Sequence, residues 1–290
     1  MTRTIEIQGH RGARGLFPEN TLEGFLAAAA IGVTSFELDV GMTADGVVVV
    51  SHDPALNPDI TRDDRGRWLT APSPLIYSLT HDELRRWDVG RIRPGSRYSA
   101  LFPDQRPHEG ARIPSLEAVL TALPIARFNI EIKTDPRHPD HTVDPAALAD
   151  AVLAVVDRAD ATRRIMIESF DWRGPRHIRR IRPTVRLAWL TRGRTARDRA
   201  LWWDLRGLDM NASVPLIVAA EGGGVWAPEQ GDLTEADIID AHGRGLLVMP
   251  WTVNRPTQMA RLAGWGVDGL ISDRPDLAQA VVSRSSYYGR

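Results

Sequence analysis

The sequence predicts a (β/α)8 TIM barrel, and three observations carry that prediction. Eight apolar, strand-like runs begin near residues 4, 33, 126, 163, 185, 225, 246 and 268, with helical stretches between them. Acidic and basic side chains collect at the ends of these runs, where a barrel builds its sites. The 290-residue length is what one such barrel commonly fills as a single domain, with one long irregular stretch, 54–112, set into it. A doubly wound open sheet would want a Gly-rich phosphate fingerprint after a strand, and HRGARG (10–15) is not one.

In chain order, TIEIQGH (4–10) reads as the first strand. PENT (18–21) then opens a helix, with Asn20 as N-cap and Glu23 three residues on, and the helix stops at Gly32. VTSFELDV (33–40) is the second strand, and VVVVSHD (47–53) returns beside it across an Ala-Asp-Gly turn. Segment 54–112 is rich in Pro, Arg, Asp and Gly, and its one clear helix signal is the Thr80/Glu83 capping box. A long irregular stretch inside a regular fold usually serves function, so it reads as an inserted subdomain forming a lid or a pocket wall.

Alternation resumes with a helix at 115–123 and a strand at 126–133 (ARFNIEIK). Asp144 caps and Pro145 starts the next helix, to 159. Strand 163–169, helix 172–181 and strand 185–191 follow, then a poorly patterned stretch, 192–224. VWAP (225–228), a helix capped by Thr234, strand 246–254, helix 256–264, strand 268–272 and helix 274–283 complete the eight units, with Asp273 read as an N-cap.

Composition bounds the function. A formal charge of −1 gives no reason to expect nucleic acid or an anionic membrane as partner. With no cysteine, disulfides and thiolate metal sites are excluded. No apolar run reaches the roughly 18 residues of a spanning helix, and no basic-then-apolar leader opens the chain. A cytoplasmic protein without stable membrane association is the expectation, and oligomeric state leaves no trace. Lys133 is the single lysine among many arginines, which points to a need for a compact point charge there.

Strand alternation then assembles a site. Glu37 and Asp39 share one face of their strand, and Asn129, Glu131 and Lys133 share one face of theirs. His10 ends the first strand and His52 ends the returning one. Three carboxylates, two imidazoles, Arg11 and Lys133 therefore converge on one barrel mouth. Such carboxylates repel unless a cation sits among them, and oxygen ligands suit Mg²⁺ or Ca²⁺ best, with Mn²⁺ also compatible. With the metal, Arg11 and Lys133 counted, the pocket carries about one positive charge, which suits a phosphodiester monoanion.

These residues resemble the glycerophosphodiester phosphodiesterase family, among the barrel phosphodiesterases related to phosphatidylinositol-specific phospholipase C. The resemblance rests on HRG (10–12), PENT (18–21), ELD (37–39), HD (52–53), PSLEAVL (114–120), NIEIK (129–133), ESFD (168–171), WTVN (251–254) and GLISDRPD (269–276), in the family's order. The family also carries an insertion after its HD motif, where 54–112 lies.

The resemblance implies hydrolysis of glycerophosphodiesters to glycerol 3-phosphate and an alcohol. It implies His10 and His52 as the acid–base pair, Glu37, Asp39 and Glu131 as ligands of one divalent cation, Arg11 and Lys133 as phosphate ligands, and Trp251 beside the alcohol. It further implies attack on phosphorus by a substrate hydroxyl to give a cyclic phosphate; it does not assign base and acid between the two histidines, and His10 is taken as the base. Glu168 departs from the pattern, which has a neutral residue there; facing the mouth, it would add a negative charge and alter metal or substrate preference. Two other readings stay open. One is a phospholipase D-like or C-like enzyme on intact lipids, with Trp202-Trp203 and Tyr287-Tyr288 as membrane wedges. The other is a non-catalytic barrel that only binds phosphodiesters.

Overall fold

The computed structural model describes residues 4–205 and 212–288, and shows an α/β barrel. Its strands are β1 (Glu6–His10), β2 (Ser35–Met42), β3 (Val48–Val50), β4 (Arg127–Ile132), β5 (Ile165–Ser169), β6 (Arg186–Thr191), β7 (Val225–Pro228), β8 (Leu247–Val248) and β9 (Gly269–Ser272). Eight run parallel in the order β8-β7-β6-β5-β4-β2-β1-β9, and β3 pairs antiparallel with β2. Backbone bonds from Asp268 to Val248 (2.9 Å), Ile271 to Pro250 (3.1 Å) and Val253 to Ile271 (2.9 Å) link the two ends of the sheet. The barrel is thus nearly closed, as the eight-unit reading requires.

Strand alternation sorts the side chains as expected. Phe36 and Phe128 face outward and meet Phe25 of the helix Leu22–Ala30, with ring centroids 5.6–6.4 Å apart. Each such buried ring contributes about 2–3 kcal/mol of transfer free energy. The lumen is lopsided: Met166, Ala188, Leu190, Val225, Ala227 and Met249 fill one half with apolar atoms. Glu37, Asp39, Glu131 and Glu168, all buried, occupy the other half. The strand carboxylates therefore sit on the wall made by β2, β4 and β5, beside His10 at the end of β1.

The caps at Thr80 (with Glu83), Asp144 and Thr234 form as read. The first helix differs. Thr21, not Asn20, is its N-cap, accepting from the Gly24 amide. Asn20 instead adopts a left-handed φ of 53° and donates from its side chain to Asp39. Strand 246–254 also shrinks to Leu247–Val248 as a regular ladder. Pro250 has no N–H to give it, yet Met249 and Trp251 still donate to Trp226 and Pro228, so the chain stays extended.

Segment 54–112 holds only short helices, at Ile76–Ser78, His81–Leu84 and Arg97–Leu101. Leu56, Ile76, Leu84 and Val89 of the segment pack with Val49 and Ile113 in an apolar cluster apart from the barrel core. The membrane-wedge reading loses one of its supports. Trp202 and Trp203 are buried, and Trp203 stacks on Trp172 at 4.4 Å, so neither is available to a bilayer. The side chains of Tyr287 and Tyr288 lie outside the described residues. No helix of the described residues is long and apolar enough to cross a membrane.

Candidate active site

The site begins with a tight turn after β1. Arg11 and Gly12 take positive φ, 52° and 93°, which fold the chain back over the mouth. Gly9 permits this turn, because a Cβ there would stand 1.9 Å from the Gly12 carbonyl oxygen. Gly9→Ala is therefore expected to cost about 1–3 kcal/mol in urea unfolding, with much of the activity lost as the turn shifts. The turn delivers the Arg11 amide to Glu37 at 3.1 Å and the guanidinium to Asp39 at 3.1 Å and Glu19 at 2.8 Å.

Sheet register builds the acidic wall. His10 pairs with Glu37 across β1–β2; Asp39 pairs with Glu131 across β2–β4; Glu131 pairs with Glu168 across β4–β5. Carboxylate oxygens of Glu37, Glu131 and Glu168 lie within 4.8 Å of one another. Two members of the triad read from the sequence, Glu37 and Glu131, are in this group with Glu168, and the third, Asp39, stands beside Glu131 in register and is paired with cations. Asp39 receives Asn20 at 2.9 Å and Arg11 at 3.1 Å, and has Lys133 at 3.4 Å; Lys133 also bonds Glu131 at 2.8 Å.

The electrostatics follow this division. Burial, then Asp39, Glu168 and Glu131, push the Glu37 carboxyl well above its usual range. Burial pushes Glu131 up to about 7 against the pull of Lys133, and burial together with Glu131 pushes Glu168 up to about 8. Burial also acts on Asp39, but Arg11 and Lys133 outweigh it and hold that carboxyl well below the ordinary range. Glu168 Oε2 and Asp39 Oδ1 are buried with no hydrogen-bond partner among the described residues. An all-oxygen donor set that is buried, crowded and partly unsatisfied fits a hard divalent cation.

Both histidines are held alike. His10 Nδ1 meets Asp273 at 2.6 Å, and His52 Nδ1 meets Asp53 at 2.7 Å. A carboxylate at Nδ1 favours the tautomer with its proton there and leaves Nε2 to do proton transfer. His10 Nε2 is 3.6 Å from Glu37. Burial drives the His10 pKa down to about 4 despite Asp273, and lowers that of His52 with help from Arg11 and Lys133. The neutral form, the state a general base requires, is thereby favoured at His10.

Asp273 is the residue that sequence reasoning misplaced. It does not cap the last helix with its side chain. Its carboxylate takes His10, Arg14 Nε at 3.0 Å and Asn254 Nδ2 at 2.7 Å, while the Arg274 amide turns to Ser272. Arg14 and Tyr98 were also missed: Arg14 donates to the Tyr98 hydroxyl at 3.1 Å, and that hydroxyl donates to Glu19. Burial raises Asp273, but His10 and Arg14 outweigh it and hold the carboxyl far below its unfolded value near 4. A depressed folded-state pKa adds stability that is full above about pH 4 and drains away as pH falls below it. Asp273→Asn is thus expected to flatten the acid limb of a urea-stability series, and to lower kcat on the order of 10²-fold by loosening His10.

Most of these groups line one cavity of about 270 Å³, with His10, Arg11, Glu37, His52, Glu131, Lys133, Glu168 and Trp251 among its walls. Trp251 donates its indole N–H to the Ala227 carbonyl at 2.9 Å and meets Phe170 edge-on at 5.4 Å, so its ring is fixed beside the pocket. Of the residues singled out from the sequence, Asn20 and Asp39 lie outside this lining: Asn20 donates to Asp39, and Asp39 pairs with Arg11, which lines the cavity.

Comparison with known proteins fits this geometry. The profile of the Glycerophosphoryl diester phosphodiesterase family matches residues 10–277. The chain belongs to that family. The family is one of phosphoric diester hydrolases. A Mycobacterium tuberculosis relative named "Probable glycerophosphodiester phosphodiesterase 2" is 30% identical, the match covering 97% of this chain and 92% of that one. A solved structure from Silicibacter pomeroyi, given as a candidate glycerophosphoryl diester phosphodiesterase, superposes with a TM-score of 0.90 at 36% identity, covering 99% and 95% of the two chains. An Oleispira antarctica phosphodiesterase solved with its product sn-glycerol-3-phosphate shares the fold, with a TM-score of 0.71 at 20% identity and 97% of each chain covered.

Proposed function

We propose that this glycerophosphoryl diester phosphodiesterase family member hydrolyses glycerophosphodiesters to glycerol 3-phosphate and an alcohol, with one bound divalent cation. The observation that carries the reading is the pairing of two carboxylate-held histidines with the buried acidic cluster around one cavity. Glu37 and Glu131 belong to both the expected triad and the observed cluster. Asp39 and Glu168, each with an orphaned buried oxygen, complete the set that would hold the ion. Bound there, Mg²⁺ or Ca²⁺ supplies charge neutralisation and polarisation of a phosphoryl oxygen.

The protein does the rest. Arg11 and Lys133 orient the phosphodiester anion. In the proposed reaction His10, neutral and fixed by Asp273, takes the proton of a glycerol hydroxyl as that oxygen bonds to phosphorus. The phosphorus–oxygen bond to the alcohol breaks as His52, which enters this step as the imidazolium with Asp53 at its Nδ1–H, gives its Nε2 proton to the departing oxygen. Water then opens the cyclic phosphate with the two roles reversed. Segment 54–112 would act as an inserted wall: its Tyr98 and Gln105 hold Arg14, whose guanidinium reaches His10 and Asp273.

A coupled assay for glycerol 3-phosphate tests this with a panel of glycerophosphodiesters, before and after chelation, with Mg²⁺, Ca²⁺ and Mn²⁺ restored separately. Release that stops on chelation and returns with a metal supports the reading. Full activity in excess chelator would remove the metal from it, and no release from any diester would remove the activity.

A further inference from the structure

Beyond the acidic wall and the histidines, the cavity continues along Leu190, Phe170, Trp251 and Arg192. An aromatic wall beside a phosphodiester site would ordinarily offer a seat for a quaternary ammonium. Here that seat is taken. The Arg192 guanidinium lies over the Trp251 ring at 6.0 Å from its centroid, while Phe170 meets the same ring edge-on. The acid nearest to Arg192 is Glu229, at 3.8 Å from its Nε, beyond hydrogen-bond length. Farther out, Arg137 covers Trp202, the other aromatic neighbour of Phe170, and is neutralised by Asp135. Arg194 is close enough to Arg137 and Arg192 to feel both charges, so three guanidiniums gather on this side, with Asp135 and Glu229 as the acids beside them.

We propose that Arg192 selects the leaving alcohol, favouring one that carries a second anionic group, such as a further phosphodiester, over one that carries a quaternary ammonium. The inference rests on the hydrolase reading and adds to it the chemical class of the alcohol. A planar guanidinium, fixed over an indole and weakly paired, can give two parallel hydrogen bonds to a phosphate or carboxylate. The same group repels trimethylammonium from the Trp251 face that lines the cavity beside it.

The test compares kcat/KM for three diesters: glycerophosphocholine, glycerophosphoglycerol, and bis(glycerophospho)glycerol, whose leaving part keeps a second phosphodiester. Wild type should favour the last over the first by about tenfold or more, a margin that shrinks with added salt. Arg192→Gln should bring the two within about threefold, Arg192→Lys should retain part of the preference, and turnover of glycerophosphoglycerol, whose leaving alcohol is uncharged, should stay within about threefold in both variants, showing an intact fold and site. Equal wild-type turnover of the choline and anionic diesters would overturn the proposal. So would an Arg192→Gln effect of the same size on all three substrates. Hydrolysis of none of the three by wild type would remove the hydrolase reading, and this inference with it.

Discussion

Replacing either His10 or His52 by alanine is expected to lower kcat by about 10²–10⁴-fold, the loss typical of a single general acid or base. Each imidazole is anchored by a carboxylate at Nδ1, so its Nε2 is the group left for proton transfer. The two should differ in what remains. His10 is buried among Glu37, Asp273 and Arg14, whereas the His52 side chain keeps about a third of its surface exposed. If His52 protonates the leaving oxygen, a diester with an acidic leaving group such as p-nitrophenol should rescue His52→Ala far more than His10→Ala. Equal rescue of both, measured as kcat on p-nitrophenyl and alkyl esters of glycerol phosphate, would contradict the assignment of His10 as base.

Glu131→Gln is the second substitution with a large expected effect. Glu131 adjoins Asp39 on one side and Glu168 on the other, and binds Lys133 at 2.8 Å. The amide would weaken metal affinity and leave Lys133 with less to hold it. Loss of on the order of 10³-fold in kcat/KM is expected at limiting metal, partly recovered at high metal concentration. Stability without metal should move the other way. Glu37, Glu131 and Glu168 destabilise one another at close range, so removing one charge should raise the metal-free melting temperature. Calorimetric titration with Ca²⁺ and thermal unfolding with and without chelator would measure both effects. Unchanged metal affinity in Glu131→Gln would place the cation elsewhere.

The fold was readable because a barrel is built from repeats of one local pattern. Apolar runs of strand length alternate with capped helices, and the period-two rule alone puts Glu37, Asp39 and Glu131 on inward faces. What failed to read had two physical causes. Local chemistry can satisfy a residue type in more than one way: Asn20 and Asp273 both look like helix caps, yet their side chains serve Asp39 and His10. The His10–Asp273 bond spans 263 residues, and only barrel closure brings the first and last strands together. Glu168 lies between these cases. Its deviation from the family pattern was visible, but its meeting with Glu37 and Glu131 depends on strand register, which one sequence does not state. Arg14 and Tyr98 gave no signal because their bond joins the turn after the first strand to the irregular insert.

The central claim is that one cavity joins two histidines and a metal-binding carboxylate wall to split a glycerophosphodiester on its alcohol side. Phosphorus NMR during turnover of glycerophosphoglycerol and glycerophosphocholine reads this directly. With Ca²⁺ or Mg²⁺ the spectrum should lose the diester signal and gain glycerol 3-phosphate from both substrates, and it should stay unchanged in chelator. Phosphocholine as the phosphorus product of the second substrate, or the same time course with the metal removed, would contradict the account.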